Sequence, residues 1–118
     1  MSRLDFFINR MVSQRACLNF AAKETASLDG PAFELGLGNG RTFDHMREIM
    51  PDRDIYVFDR HVESNPASTP EPEQMILGDV RETASVALER FGASAVLIHA
   101  DLGGHNLEKN DTFAREIP

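Results

Sequence analysis

Between residues 31 and 41 the sequence PAFELGLGNGR runs a short apolar segment straight into three alternate glycines, Gly36, Gly38 and Gly40. A run this short and apolar is the pattern of a strand buried on both faces of a sheet. Glycine at that density weakens any regular element, so a bare backbone there serves a turn or the close approach of another group. The next segment, RTFDHMREIM, puts Phe43, Met46, Ile49 and Met50 on one side of a helix that must stop before Pro51. Strand, tight loop and helix in that order commit the region to a parallel α/β sheet.

The alternation continues. DIYVFD (54–59) reads as a second strand, too apolar throughout for a half-exposed edge, and a polar loop bearing Pro66, Pro70 and Pro72 comes after it. MILGD (75–79) is a third strand. VRETASVALERF (80–91) is a helix with Val80, Ala84, Ala87, Leu88 and Phe91 on one face, stopped by Gly92, and SAVLIHAD (94–101) is a fourth strand. Ahead of the sheet, residues 3–28 read as one long helix. Ser2 and Asp5 have capping-box spacing, Leu4, Phe7, Ile8, Met11 and Leu18 form an apolar face that would cover the sheet, and Asp29-Gly30-Pro31 ends it, with Gly30 as a left-handed cap. The expected fold class is α/β: a Rossmann-like doubly wound sheet, mostly parallel, with helices on both faces. The segment 102–118 is polar and holds no further apolar strand. The fourth strand would then leave an open edge, so we expect a domain incomplete on its C-terminal side, or an edge covered by a partner such as a second copy in a homo-oligomer.

Charge and cysteine content narrow the function. Twelve Lys and Arg against 19 Asp and Glu give a formal net charge of −7, and no basic cluster appears. A phosphate-backbone partner or an anionic membrane surface needs the opposite. No apolar run approaches the roughly 18–20 residues that span a bilayer, and the charged N-terminus MSRLDFFINRMVSQR lacks the apolar stretch of a signal peptide. The single cysteine, Cys17, excludes an intrachain disulfide and a multi-cysteine zinc site. A cytoplasmic location is expected.

In open α/β sheets ligands bind at the carboxyl ends of the strands, near the point where strand order reverses. Four features fall at four successive strand ends: the glycine loop, Asp59 with Arg60 beside it, Gly78-Asp79-Val80, and Asp101. Singly each has a plain reading, since a glycine loop can be only a turn and Asp79 or Asp101 only a helix N-cap. Together they outline a nucleotide-cofactor site, with Asp59 about 20 residues beyond the loop, where a carboxylate can accept from both hydroxyls of a ribose. The dinucleotide fingerprint G-x-G-x-x-G would place its third glycine at Arg41. Glu34, a negative charge beside the loop, disfavours a pyrophosphate and favours a cationic ligand. The pattern points to a cofactor with a ribose, an adenine and a positive centre. An NAD(P)-type oxidoreductase is the alternative, and a non-catalytic cofactor-binding or partner module is a further one.

The E-x-G-x-G-x-G of residues 34–40 resembles motif I of the class I S-adenosylmethionine-dependent methyltransferases. IYVFD is similar to their second motif, GDV to their adenine-side acidic motif, and AVLIHAD to their fourth-strand motif, so the resemblance spans residues 33–101. It implies a single methyltransferase-like domain over 1–118: an N-terminal helix to residue 30, a cofactor-binding core over 31–101 and a polar C-terminal segment. It implies that Glu34, Leu35, Gly36, Leu37, Gly38, Asn39 and Gly40 hold the amino-acid end of S-adenosyl-L-methionine. Asp59 and Arg60 would take the ribose side, Gly78, Asp79 and the Val80 amide the adenine, and Asp101 would face the methyl-transfer cleft. Methyl transfer from a sulfonium needs alignment of donor and acceptor more than a general base. Of the histidines, His45 and His61 are expected at the surface and His99 against a helix, while His105 is the candidate base. Asp101 and His105 are too few for a hard-cation site, so no metal is assigned. The expected acceptor is a small molecule, with a protein side chain second.

Overall fold

A computed structural model describes residues 1–62 and 64–100. In chain order the elements are α1 (Arg3–Glu24), β1 (Ala32–Leu35), α2 (Arg41–Ile49), β2 (Ile55–Asp59), β3 (Met75–Leu77), α3 (Val80–Phe91) and β4 (Leu97–Ala100). Two short 3-10 turns, Pro66–Ser68 and Pro72–Gln74, carry the chain from β2 to β3. The strands pair in parallel in the order β3-β2-β1-β4. The chain therefore steps outward from β1 through β2 to β3, then crosses back to lay β4 on the other side of β1. Winding reverses at β1, which places the crevice expected for a ligand at its carboxyl end. This is the doubly wound, parallel α/β fold that the alternating periods imply.

Each face of the sheet has its own core. On one side Leu18 of α1 and Phe43 and Met46 of α2 pack with Ala32, Ile55 and Val57. On the other, Phe33 and Phe58 meet Ala87 of α3, with Tyr56 and Phe91 packed against them. The Phe33 and Phe58 rings lie 5.1 Å apart, Tyr56 and Phe91 4.4 Å apart, and the Arg90 guanidinium covers Tyr56 at 5.1 Å.

Three details depart from the sequence reading. First, α1 begins at the expected capping box, where the Asp5 amide donates to the Ser2 hydroxyl and Asp5 accepts from the Ser2 amide, but it ends at Glu24 rather than residue 28. The Thr25 hydroxyl donates to Ala21 O at 2.8 Å, and Arg53, from the loop before β2, donates to the carbonyls of Thr25, Leu28 and Gly30. A distant guanidinium thus satisfies carbonyls of the turn that follows α1, which have no helical partner. Gly30 is no helix cap. Its φ of +145° carries the chain beneath the start of β4, where a Cβ would collide with the Ser94 carbonyl.

Second, the apolar face of α1 is buried only at Leu18. Leu4 is 65% exposed and Phe7 and Ile8 nearly half exposed. At 1.5 Å per residue a helix of 22 residues is about 33 Å long, more than the breadth of four strands about 4.8 Å apart, so its first half extends past the core. Third, α3 buries Thr83 and Ala87, while Ala84 and Leu88 face solvent. A threonine can take the inner position because its hydroxyl donates to the Asp79 carbonyl at 3.2 Å. β1 and β3 are also shorter than their apolar runs, because pairing stops where Gly36 and Gly78 begin.

Met46 is fully enclosed whereas Leu88 is not. Met46→Ala is expected to lower unfolding free energy by about 2–5 kcal/mol, and Leu88→Ala by less than about 0.5 kcal/mol, in a urea titration.

Candidate cofactor-binding site at the strand ends

β1 leaves the sheet at Leu35 and turns at once. The Gly36 amide donates to Phe58 O at 2.7 Å and the Gly40 amide to Leu37 O at 2.9 Å, so the loop stays tied to β2 while it delivers the chain into α2. Gly38 sits at φ +56°, and a Cβ built on it would meet nothing within 4 Å. Its bare backbone therefore faces open space rather than packed protein. Gly40 caps α2 with no side-chain hydrogen bond, so the leading amides of that helix are free of a capping side chain.

The neighbouring strand ends are stitched to this loop. Asp59 Oδ2 accepts from the Leu37 amide at 2.8 Å, and its Oδ1 from the Arg60 amide at 2.7 Å. The Gly78 amide donates to Asp59 O at 2.9 Å. The Arg60 guanidinium donates to Asp79 Oδ2 at 2.6 Å, and Asp79 Oδ1 accepts from the Arg81 amide, which makes Asp79 the N-cap of α3 with Val80 as its first residue. The Arg81 amide first, and then Arg60, hold the Asp79 carboxyl below the usual carboxylate range. The glycine loop, Asp59-Arg60 and Gly78-Asp79-Val80 thus meet on one rim.

Beneath the rim lies Glu34, fully buried on β1. His99 is its register partner on β4, and His99 Nδ1 donates to Glu34 Oε1 at 2.6 Å. On its other side His99 Nε2 accepts from the Gln14 amide of α1 at 3.4 Å. His45 is half-buried and donates to Asn19, and His61 is exposed. Asp101 and His105 lie outside the described residues. The Asp59 brace, the Arg60–Asp79 link and the Glu34–His99 pair were invisible in the sequence. Period-two alternation puts His99 on the same face as Leu97, but only the strand register supplies its partner.

The model of the S-adenosyl-L-methionine methyltransferase family matches residues 1–118. The chain belongs to that family. In keeping with this, the crystal structure of an S-adenosyl-L-methionine methyl transferase from Silicibacter pomeroyi is 65% identical and superposes with a TM-score of 0.93, over 99% of this chain and 72% of that one. No curated protein matches. The cofactor of the methyltransferase is S-adenosylmethionine, and the rim suits it: Gly38 leaves backbone exposed to open space, and carboxylates stand at the ends of β2 and β3. Among the described residues no group of three His, Cys, Asp or Glu could hold a metal ion. None of their helices is long and apolar enough to cross a membrane.

Because the folded-state pKa of Asp79 is lowered, its ionised form stabilises the fold above the ordinary carboxylate pKa of about 3.9, and that contribution fades as pH falls through the folded value. Asp79→Asn keeps a capping oxygen and removes the charge facing Arg60. Thermal unfolding should show a lower Tm for this variant at pH 7 and a gap that closes in strong acid. A gap of constant size across that range would contradict the assignment.

Proposed function

We propose that the methyltransferase passes a methyl group to a small-molecule acceptor, a protein side chain being the second choice, with its cofactor laid along the strand-end rim. Bound S-adenosylmethionine supplies an electrophilic methyl group on a sulfonium. Glu34 puts a carboxylate under the loop, and residues 35–40 are assigned to the amino-acid end, with Gly38 and Asn39 the exposed part of that loop. Asp59 and Arg60 stand where the ribose would lie. Gly78, Asp79 and the Val80 amide line the adenine side, and Asp101 is assigned to the methyl-transfer cleft.

The observation that carries this reading is the convergence of three separate sequence segments on one rim through Asp59. Each of its carboxylate oxygens accepts one backbone amide and keeps further lone-pair capacity, so two hydroxyls can be received without undoing the brace. The net charge of −7 and the absence of a basic cluster favour a small acceptor over nucleic acid. Alignment of donor and acceptor in a site closed to water can lower the barrier by about 7–11 kcal/mol, so the reading needs no general base. His105 is its candidate where a proton must leave.

Calorimetric titration tests the assignment. S-adenosylmethionine should bind and NAD should not. A charge-assisted hydrogen bond contributes about 1.5–3 kcal/mol, so Asp59→Ala should weaken cofactor binding by about 10–150-fold. Gly38→Ala adds a methyl group where the protein itself has nothing to collide with, at about 1–2 kcal/mol of left-handed strain. It should fold and lose cofactor affinity. Unchanged affinity in both variants would reduce the loop to a turn.

A further inference from the structure

We propose that the groove between the first half of α1 and the start of α2 is the acceptor site, and that it takes an amphipathic anion, a molecule with an apolar body and a small anionic head. This rests on the methyl-transfer reading above and says where the acceptor lies and what chemistry it has.

The groove is lined along α1 by Phe7, Ile8, Met11 and Val12 and closed on the other side by Arg41 and Thr42, with a volume of about 420 Å³. That lies within the range of small-molecule sites, about 300–1,000 Å³. Phe7, Ile8 and Val12 are 43, 48 and 47% exposed, so the apolar face that leaves the core is displayed here rather than buried. Position ties the groove to the rim. Arg41 and Thr42 come directly after Gly40, and Gln14, which also lines the groove, is the residue that reaches His99 and through it Glu34.

Charge selects the occupant. In a chain of net charge −7, α1 carries Arg10 and Arg15 and no carboxylate between Asp5 and Lys23. Arg15, Arg41 and His45 are the ionisable lining residues, and no Asp or Glu is among them. Among the described residues neither Arg15 nor Arg41 has a carboxylate partner. An apolar trough with such guanidiniums in its lining complements an apolar body ending in a carboxylate. A second copy of this chain suits it less, because a two-fold contact would set this cationic lining against itself.

The test titrates the full chain with octanoate and octylammonium, monitored by NMR, and with S-adenosylmethionine by calorimetry. Octanoate should bind and octylammonium should not. Val12→Glu and Arg15→Glu should each weaken octanoate by about tenfold or more while S-adenosylmethionine affinity stays unchanged. Leu88→Glu, on the opposite face of the sheet, should alter neither. Equal binding of the two octyl probes, or octanoate binding that survives Val12→Glu, overturns the proposal. So does sedimentation showing a dimer that Val12→Glu dissociates. Failure of the unmodified chain to bind S-adenosylmethionine overturns the methyl-transfer reading and the acceptor role with it, whereas failure of octanoate alone overturns only the groove.

Discussion

A carboxylate with no solvent-exposed surface needs a partner, and for Glu34 that partner is His99 on the adjacent strand, 2.6 Å away. The contact spans β1 and β4, the pair at which the winding of the sheet reverses. It therefore adds a side-chain tie to the backbone pairing of two strands that no short connection joins. It also reaches beyond the sheet, because the far side of the His99 ring meets Gln14 of α1. Sheet and N-terminal helix are thereby joined through one hydrogen-bonded chain that runs from Glu34 through His99 to Gln14.

The rim above this pair uses its two carboxylates, Asp59 and Asp79, twice each. Asp59 anchors the glycine loop and presents its remaining lone pairs outward. Arg60 holds Asp79, and Asp79 starts α3. Such sharing stiffens the rim before any ligand arrives, so less ordering remains to be done on binding. It also means that capping and recognition are not competing accounts of Asp79. A carboxylate that caps a helix at a strand end is held in place by the helix it caps.

The element types and the strand-end motifs were legible in the sequence because they rest on strong local signals: a period that switches between two and 3.6, glycines at alternate positions, prolines in loops. The helix of residues 80–91 appears with the boundaries its capping Asp79 and terminal Gly92 imply. What stayed hidden was decided by residues distant in sequence. Arg53 ends α1 early from a loop more than one element away. Thr83 displaces Ala84 from the inner face of α3 through a hydrogen bond to its own cap residue. The pairing of Glu34 with His99 exists only once register is set. The cofactor class was readable because the identity of Glu34 and the placement of Asp59 are local facts, whereas the brace between Asp59 and Leu37 is a tertiary one.

The Arg53 contacts have a mechanical side. They secure the chain just after α1, Leu18 secures the helix to the core, and Gln14 ties it to the sheet through His99. Beyond that point the helix carries exposed apolar side chains, yet the Ser2–Asp5 capping box keeps its free end wound. The cap supplies hydrogen bonds to the first turn where packing against the core is slight. One wall of the groove is therefore held in shape by hydrogen bonds within α1 itself rather than by burial of its side chains.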